Sequence, residues 1–214
     1  MNGLAEINFK KKSKINDKEY SKLKNYLRLL KISQKNHNLI SNKAFATIWD
    51  RHFLDSYQIL KIIGKEKKIL DIGGGAGFPA IVCAICSNNY FNIVESNKKK
   101  CNFLNEVKIK LDLKNVKIHN SRVESLELID NIDFITARAV ASLTKLLKYS
   151  LKFTKKKTKC IFLKGKSVFK EIKIAKNNYT FNMKCLKSIT SNEGNILFIE
   201  NLKKKIIIIL ILSL

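Results

Sequence analysis

Acidic residues, arginine and proline are scarce in this sequence. Its 214 residues include 17 Asp and Glu against 42 Lys and Arg, giving a formal net charge of +25, yet only four of the basic residues are arginines and only one residue is a proline. A positive net charge of this size favours binding to polyanions such as nucleic acid or to an anionic membrane surface. Lysine supplies most of the charge, and Asn and Ile also abound, so a coding bias towards these residues remains an alternative explanation.

Long apolar runs and repeated metal-ligand spacings are also missing. The longest apolar stretch, residues 206–214, has nine residues, whereas a membrane-spanning helix needs about 20; we therefore expect no membrane anchor and interpret this stretch as an extension of a last strand. Cys83 and Cys86 form a C-x-x-C pattern without a second pair or a suitably spaced His, so no metal site is predicted. Their apolar surroundings predict buried helix positions. With five cysteines and no recognisable signal peptide, we expect reduced thiols and a cytoplasmic location.

The chain divides by its hydrophobic periodicity. Residues 1–16 are basic and aperiodic and are interpreted as a flexible lead-in; residues 17–64 have helical spacing and predict a helical extension, with Asp17 as the first N-cap and a second helical stretch at about 44–62. Residues 65–202 form the main predicted domain, and residues 203–214 are a C-terminal apolar tail.

The main domain is predicted to be α/β. Short apolar segments alternate with segments of helix length, which is typical of a parallel sheet covered by helices on both faces. The last two strands follow each other directly and predict an antiparallel finish. The predicted strands are "KKILDIG", "FNIVES", "VKIHNS", "IDFITARA", "TKCIFLKG", a stretch near 181–190, and "ILFIENL".

Half of the eight glycines lie in one loop, "DIGGGAGFPAI" (71–81), after the first predicted strand and before a helix that Pro79 can begin. Loops of this kind receive nucleotide-like ligands in doubly wound sheets. Four glycines exceed what a tight turn needs, so we interpret them as room for a ligand. The predicted loop contacts are Asp71, Gly73, Gly75 and Gly77.

Two ligands compete for this loop. Residues 75–80 fit a dinucleotide pattern, G-x-G-x-x-A, but begin two residues late and place Pro79 where a backbone N–H is useful. An acid followed by alternating glycines, Asp71-x-Gly73-x-Gly75-x-Gly77, is instead the first motif of S-adenosylmethionine-dependent methyltransferases. Glu95, at the end of the second strand, suits the ribose hydroxyls of either ligand. The acid before the glycines favours the methyl donor.

Motifs for two common methyl acceptors are absent. The single proline rules out an Asn/Asp-Pro-Pro-aromatic motif after the fourth strand, which serves exocyclic amines, and no Pro-Cys pair is present to attack a pyrimidine carbon. A ring nitrogen such as guanine N7 carries a free lone pair and no proton, so its methylation requires alignment rather than a general base.

Five segments together resemble the ribosomal small subunit methyltransferase G family, which methylates guanine N7 in 16S rRNA. They are "RHFLDS" (51–56), "LDIGGGAGFPAI" (70–81), "NSRVESL" (120–126), "ARAVASL" (137–143) and "FLKGK" (162–166). The resemblance implies a Rossmann-like class I methyltransferase fold with a seven-stranded, mostly parallel sheet and N-terminal helices on the substrate side. It also implies S-adenosylmethionine as donor, a single acceptor guanine at the position expected to be 527, and 16S rRNA or a small-subunit particle as partner of a monomeric enzyme.

The resemblance further implies donor contacts at Gly73, Phe78, Val123, Glu124 and Arg138. No catalytic base is implied, although positioning of the substrate by Arg138 and a lysine at residue 164 is expected.

Simpler structural roles compete with these assignments. Arg138 can pair with Asp71 or Glu124, His52 can be a hydrogen-bonded packing residue, and Lys164 can be a solvated lysine as well as an RNA or donor contact. Two other functions also remain open at this point: a small NAD(P)-dependent oxidoreductase, and an inactive basic RNA-binding protein.

Overall fold

The computed structural model describes residues 3–35, 39–41 and 45–205. The helices are α1 (Gly3–Ser13), α2 (Asp17–Gln34), a π-helix (Trp49–Leu54), α3 (Asp55–Tyr57), α4 (Leu60–Ile63), α5 (Ala80–Ile85), α6 (Lys98–Lys110), α7 (Leu143–Leu151) and α8 (Val168–Ala175). The strands are β1 (Lys68–Ile72), β2 (Tyr90–Glu95), β3 (Val116–Asn120), β4 (Phe134–Arg138), β5 (Lys159–Lys164), β6 (Tyr179–Lys187) and β7 (Asn195–Lys204). The predicted apolar stretch at 206–214 lies outside the described residues.

The seven strands form one mixed sheet in the order β3-β2-β1-β4-β5-β7-β6. Strands β1 to β5 pair in parallel, and β7 runs antiparallel to both β5 and β6. The strand order reverses between β1 and β4, where crevices for ligands form at the carboxyl ends of the strands. The predicted seven-stranded class I methyltransferase-like fold with N-terminal helices is confirmed.

Helices on both faces explain why the central strands are almost continuously apolar. On β1, Ile69 packs on the face that carries α2, α5 and α6, whereas Leu70 and Ile72 pack on the face that carries α7 and α8. A parallel strand buried on both sides needs apolar residues at successive positions, and "KILDI" has them. Asp71 is the exception and lies at the loop end of the strand.

One part of the second face has no covering helix. The connection from β3 to β4, residues 121–133, is irregular throughout, although alternation predicted a helix-length segment. The strand residues beneath it are polar, and Tyr90, Asn92, Lys117 and His119 line an open groove of about 1000 Å³. These polar side chains do not require the cover that an apolar sheet face needs.

The N-terminal segment is helical and packed rather than a flexible lead-in. Phe9 of α1 is fully buried, with its ring centroid 5.3 Å from Trp49 and 6.2 Å from Phe53. Glu6 accepts hydrogen bonds from Tyr20 and from Lys24 of α2. The prediction of a flexible segment for residues 1–16 is therefore wrong at residues 3–13, because one buried aromatic side chain fixes a helix whose sequence has no amphipathic period.

Helix α2 begins where predicted, but its cap is one residue earlier. Asn16 is the N-cap: its side chain accepts from Glu19 N, and the Glu19 carboxylate accepts from Asn16 N, both at 2.9 Å. This reciprocal pair is a capping box. Asp17, predicted as the cap, is the first helical residue instead.

The second predicted helical stretch contains a π-helix at Trp49–Leu54, which continues into α3. π-Helical turns are rare and recur at functional sites. This one carries Arg51 and His52 and positions Asp55 at its end, beside the carboxyl edge of the sheet.

The C-x-x-C cysteines differ in their surroundings. Cys83 is a buried residue of α5, as predicted, and its thiol lies 3.2 Å from Ser56 O. Cys86 directly follows the helix and is only partly buried. Within the described ranges, no cluster of three or more potential metal ligands occurs and no helix is both long and apolar enough to cross a membrane.

Candidate active site

The glycine-rich loop is tied to the end of β2. Gly73 N and Gly74 N both donate to Val94 O, at 2.8 and 3.0 Å. Gly75 N donates to Glu95 Oε2 at 2.8 Å. The loop therefore takes its shape from the neighbouring strand, and Ala80 begins α5 directly after Pro79.

Most of the glycines are required by packing within the protein. A Cβ atom on Gly74 would lie 2.3 Å from Ile93 Cγ2, one on Gly73 would lie 2.5 Å from Val140 Cγ2, and one on Gly77 would lie 2.6 Å from Ile81 Cγ1 and 2.8 Å from Tyr26 Oη. The interpretation that all four glycines are explained by ligand room is therefore too broad. Three of them are already explained by their own neighbours.

Gly75 is different, because open space lies beside it. A Cβ atom there would come no closer than 3.8 Å to Gly73 O, and Gly75 lines a cavity. Its φ of +55° is also a conformation that favours glycine. A side chain at this position would occupy the cavity, which makes Gly75 the loop residue best explained by a ligand.

A buried tyrosine secures the same loop from the helical extension. Tyr26 of α2 is fully buried, and its hydroxyl donates to Ala76 O at 2.5 Å. Its ring lies 5.6 Å from that of Phe78 and stacks on Phe53 at 5.7 Å. The extension and the loop thus share one packed interface.

The cavity next to this loop has a volume of about 440 Å³, within the range of small-molecule sites, which is about 300–1,000 Å³. The predicted donor residues that line it are Gly73, Gly75, Phe78, Glu95, Val123, Glu124 and Arg138. Asp71 and Gly77 lie behind its wall, and Lys164 lines a neighbouring cavity. The lining also includes residues that the sequence did not single out as donor contacts, among them Leu39, Ile40, Ser96, Lys100, Ser121, Arg122, Val140 and Tyr149.

Glu95 connects the loop with the start of α6. Oε2 accepts from Gly75 N and Oε1 accepts from Asn97 N, each at 2.8 Å. Glu95 as a whole is 8% exposed, and each carboxylate oxygen retains a second lone pair for a ligand hydroxyl. Its position on the cavity wall fits the ribose contact that was predicted for it.

Asp71 supports the loop from below. Its Oδ1 accepts from Thr136 Oγ1 at 2.6 Å, while Oδ2 is buried without a hydrogen-bond partner among the described residues. Burial raises the pKa of Asp71 to about 7, the Thr136 hydrogen bond opposes this shift, and the nearby Glu95 adds to it. Asp71 precedes the loop in sequence but does not line the cavity.

Val123 and Glu124 follow β3 and form the far end of the cavity. Val123 is buried, and Glu124 faces solvent. Hydrogen bonding to its own backbone N–H lowers the pKa of Glu124, with help from Tyr149 and Lys145. An apolar side chain beside an ionised acid is a suitable surface for the flat base of a nucleoside and its polar edge.

Arg138 stands at the end of β4, in the wall between two cavities. Its Nη2 donates to Arg51 O in the π-helix, and its Nη1 lies 3.7 Å from Asp55 Oδ2. The predicted alternative pairing with Asp71 or Glu124 is wrong, because Arg51 of the π-helix and Asp55 at the start of α3 supply the partners. The next residue, Ala139, has φ of +52°, which is uncommon for alanine.

His52 packs against Phe78, with ring centroids 4.5 Å apart. Both ring nitrogens are buried without a hydrogen-bond partner in the part of the chain that the structure describes, so the prediction of a hydrogen-bonded histidine is wrong. Burial lowers the pKa of His52 to about 3, with further lowering by Arg138 and Arg51. The ring is therefore neutral at physiological pH.

A second cavity of about 360 Å³ adjoins the first across Arg138 and Ala139. Lys164 lines it, 8% exposed, with Nζ 2.6 Å from Glu171 Oε2 and 3.0 Å from Ala141 O. Lys164 is thus neither solvated nor free but holds β5 to the loop after β4. The remaining walls come from Arg51, Asp55 and the loop between β6 and β7.

The two cavities fit a reaction between a small donor and a larger acceptor. The first has the loop, the acid and the apolar surface that a nucleoside-containing donor needs. The second opens beyond Arg138 and combines cationic groups with carboxylates. Such adjoining crevices at the carboxyl edge of the sheet can hold two reactants side by side.

Comparison with known proteins agrees with this geometry. The family described as rRNA small subunit methyltransferase G matches residues 19–204. Among curated proteins, "Ribosomal RNA small subunit methyltransferase G" of Rickettsia prowazekii is 36% identical over 192 residues, covering 89% of this chain and 98% of the relative. The same protein of Rickettsia felis is 36% identical over 184 residues, covering 86% of this chain and 94% of the relative.

Solved structures show the same fold at low sequence identity. A SAM-dependent methyltransferase from Aquifex aeolicus has a TM-score of 0.55 at 19% identity, over 68% of this chain and 88% of that one. A ribosomal protein L11 methylase from Lactobacillus delbrueckii has a TM-score of 0.57 at 14% identity, over 78% and 81%. A nicotinamide-dependent oxidoreductase is thereby the wrong alternative: the chain is an S-adenosylmethionine-dependent methyltransferase and belongs to the rRNA small subunit methyltransferase G family.

Proposed function

We propose that this enzyme methylates N7 of a single guanine in 16S rRNA, expected to be guanine 527. The observation that carries the proposal is the second cavity, which meets the donor cavity at Arg138. Two of its carboxylates lie beside cations, with Glu171 Oε2 2.6 Å from Lys164 Nζ and Asp55 Oδ2 3.7 Å from Arg138 Nη1. An acceptor that needs no proton removed suits such a site better than an exocyclic amine does.

The chemistry of this acceptor is simple. The N7 lone pair forms the new N–CH₃ bond, the S–CH₃ bond of the donor breaks, and the sulfur keeps that bond's electron pair, so no proton has to leave. The contribution of the protein is alignment and the handling of charge. The chain also lacks the Pro-containing motifs that serve exocyclic amines and the Pro-Cys pair that serves pyrimidine carbons.

The donor site supports activity rather than an inactive RNA-binding role. Gly75 leaves the cavity open, and Glu95 presents its carboxylate at the wall. Within this proposal the donor contacts are Gly73, Gly75, Phe78, Glu95, Val123, Glu124 and Arg138, whereas Asp71 and Gly77 shape the loop from behind. S-adenosylmethionine supplies the methyl group, carried on a cationic sulfur.

The helical extension at 17–64 is proposed to form the substrate side, because Arg51 of its π-helix and Asp55 of α3 line the second cavity. Residues 65–202 would then be the methyltransferase unit. The net charge of +25 fits an RNA or small-subunit particle as partner, and we propose a monomer that acts in the cytoplasm.

Mass spectrometry of nucleosides from small-subunit rRNA tests the proposal. rRNA from cells without this gene should lack one 7-methylguanosine, and the purified enzyme with S-adenosylmethionine should restore it. Heat-inactivated enzyme is the matched control. Unchanged 7-methylguanosine in the deletion strain, or a different methylated nucleoside made by the enzyme, would exclude guanine N7 as the target.

A further inference from the structure

Asp55 is held rigidly in the wall of the second cavity. Its Oδ1 accepts three hydrogen bonds, from Gln58 Nε2 at 2.7 Å, Ser188 Oγ at 2.8 Å and Thr190 Oγ1 at 3.0 Å. Ser188 and Thr190 belong to the connection between β6 and β7, which is more than 130 residues away in sequence. One oxygen of the carboxylate is therefore fully engaged, and the side chain cannot rotate without losing these bonds.

The other oxygen is not satisfied in the same way. Asp55 Oδ2 lies 3.7 Å from Arg138 Nη1, which is beyond hydrogen-bond distance. Arg138 Nη1 is buried and has no hydrogen-bond partner among the described residues, although Nη2 donates to Arg51 O. The two side chains are 15% and 16% exposed. Arg138 Nη1 is thus a buried, charged donor without a hydrogen-bond partner, which is costly, and Asp55 Oδ2 lies beside it as a charged acceptor.

We propose that Asp55 and Arg138 read the O6/N1 edge of the acceptor guanine, a proposal that rests on the guanine-N7 function above. Arg138 Nη1 donates to O6, and Asp55 Oδ2 accepts the N1–H. The guanine edge has an acceptor, O6, next to a donor, N1–H. The protein offers the complementary pair, a donor on Arg138 next to an acceptor on Asp55. Arg138 Nη1 and Asp55 Oδ2 each gain a charge-assisted hydrogen bond in this arrangement.

This pattern selects among the four bases. Adenine and cytosine present an amino donor beside a ring-nitrogen acceptor, which places donor against donor at Arg138 and acceptor against acceptor at Asp55. Uracil has a carbonyl beside an N–H, as guanine has, but no ring-nitrogen lone pair next to that carbonyl. Guanine alone combines the matching edge with N7 adjacent to O6. Because Arg138 lines both cavities, binding of O6 there leaves N7 on the donor side.

The Lys164–Glu171 pair does not compete for this role. Lys164 Nζ is satisfied by Glu171 and by Ala141 O, and Glu171 also accepts from Leu143 N at 2.7 Å and from Ser167 Oγ at 2.9 Å. Both groups of that pair have their partners within the protein. Within the described residues, Arg138 Nη1 is the buried side-chain nitrogen of this wall that has no hydrogen-bond partner, and Asp55 Oδ2 lies beside it.

The Asp55→Asn variant reverses one of the two hydrogen-bonding positions without changing shape. The amide oxygen can still accept from Ser188 and Thr190, while the NH₂ group replaces Oδ2 and presents a donor where guanine also has a donor. We expect kcat/KM for methylation of small-subunit rRNA to fall by about 10²-fold or more. Affinity for S-adenosylhomocysteine, measured by calorimetry, should stay within about twofold, because Asp55 does not line the donor cavity.

A base analogue separates recognition from a purely structural role. 2-Aminopurine retains N7 but has a bare acceptor at N1 and no oxygen at C6, whereas inosine retains the guanine O6/N1 edge. With rRNA carrying these analogues at the target position, wild-type enzyme should use inosine within about tenfold of guanine and should reject 2-aminopurine by about 10²-fold or more. In Asp55→Asn the preference for guanine over 2-aminopurine should collapse towards one, since the new N–H can donate to N1.

The matched control is the Ser188→Ala/Thr190→Ala double variant, which removes support from Oδ1 but keeps the Oδ2 acceptor. It should retain the guanine preference even if its overall rate falls. Equal use of inosine and 2-aminopurine by wild-type enzyme would overturn the proposal even if Asp55→Asn did not fold. Normal 7-methylguanosine formation with an unchanged preference in Asp55→Asn would overturn the base recognition alone, whereas absence of 7-methylguanosine with wild-type enzyme would overturn the proposed function beneath it.

Discussion

The two cavities at the carboxyl edge of the sheet are built in different ways. The first cavity, proposed for the donor, takes its glycine-rich loop from residues close in sequence, and the hydrogen bond from Gly75 N to Glu95 spans 20 positions. The second cavity, proposed for the acceptor, depends on contacts between residues far apart in sequence. The hydrogen bond between Arg138 and Arg51 O spans 87 positions, and that between Thr190 and Asp55 spans 135. A local sequence motif therefore predicts the first cavity, whereas the second exists only once the whole sheet and the N-terminal helices have come together.

Replacing loop glycines should have the largest effects on donor binding and tests whether the first cavity is the donor site. Gly75→Val should abolish donor binding, by more than about 10³-fold, because the new side chain occupies the cavity. Its strained φ should cost only about 1–3 kcal/mol of stability. Calorimetry with S-adenosylhomocysteine and circular dichroism should therefore show a folded protein that does not bind the donor.

Gly74→Val is the matched control, since a Cβ there would lie 2.3 Å from Ile93 in the core. This variant should lose its fold rather than binding alone. Donor affinity within tenfold of wild type in Gly75→Val would show that the open space beside Gly75 is not the donor site.

Arg138→Ala changes the wall between the two cavities and should have the next largest effect. Loss of a buried donor that acts on the reacting base should lower kcat by about 10²–10³-fold. The affinity for RNA should change by less than about threefold, because RNA binding is spread over many surface lysines. Single-turnover methylation and filter binding measure the two quantities separately.

Arg28→Ala is the corresponding control, because Arg28 is exposed on α2, away from both cavities. It should leave kcat unchanged. A loss of RNA affinity in Arg138→Ala as large as the loss of turnover would assign Arg138 to general RNA binding and remove it from the reaction site.

A smaller effect, on donor affinity, is expected at Glu95, which lines the first cavity and not the second. Glu95→Ala should weaken donor binding by about 2–3 kcal/mol, through loss of a charge-assisted pair of hydrogen bonds. Glu95→Gln keeps one oxygen for Gly75 N and should lose less. Calorimetry with both variants distinguishes these outcomes, and unchanged donor affinity in Glu95→Ala would exclude the ribose contact.

Asp71 lines neither cavity, so its effect is expected in the stability of the protein rather than in binding. Its folded pKa of about 7 lies above the ordinary value of 3.8, so between these values the folded protein binds a proton that the unfolded chain does not. Stability contributed by Asp71 should therefore fall as the pH rises through this window, by up to about 1.4 kcal/mol per pH unit, and level off above it. Relative to Asp71→Asn, denaturant unfolding of the wild type should show this slope; parallel curves for the two proteins would contradict the shift.

Prediction from sequence succeeded where the physical signal was local. Continuous apolar runs such as "KILDI" indicate strands buried on both faces, and all seven strands were found in their predicted segments. The loop from Gly73 to Gly77 is also a local signal, because a strand end, a turn and a helix start follow each other within ten residues. The sequence analysis attributed all four glycines to a ligand. Three of them are instead required by close contacts with Ile93, Val140 and Ile81, which cannot be inferred from the sequence.

Prediction failed where tertiary contacts override the local pattern. Helix α1 has no amphipathic period, and tertiary contacts explain why it is ordered: Phe9 is buried among the rings of Trp49 and Phe53, and Glu6 accepts hydrogen bonds from α2. The partners of Arg138 were missed for the same reason. Asp55 lies within "RHFLDS", so the motif contained the residue, but neither its contact with Arg138 nor its bonds to Ser188 and Thr190 can be inferred from spacing.

The hydrogen bond from Tyr26 to Ala76 O has a thermodynamic consequence for the helical extension. It joins α2 directly to the loop that borders the donor cavity, and the ring of Phe78 packs against the same tyrosine. A donor molecule that binds the loop in this conformation would also stabilise the packing of α2 on the loop, and by linkage the packed helix would favour the donor by the same free energy. Donor binding should therefore protect α2, and the wall that carries Arg51 and Asp55, against local unfolding.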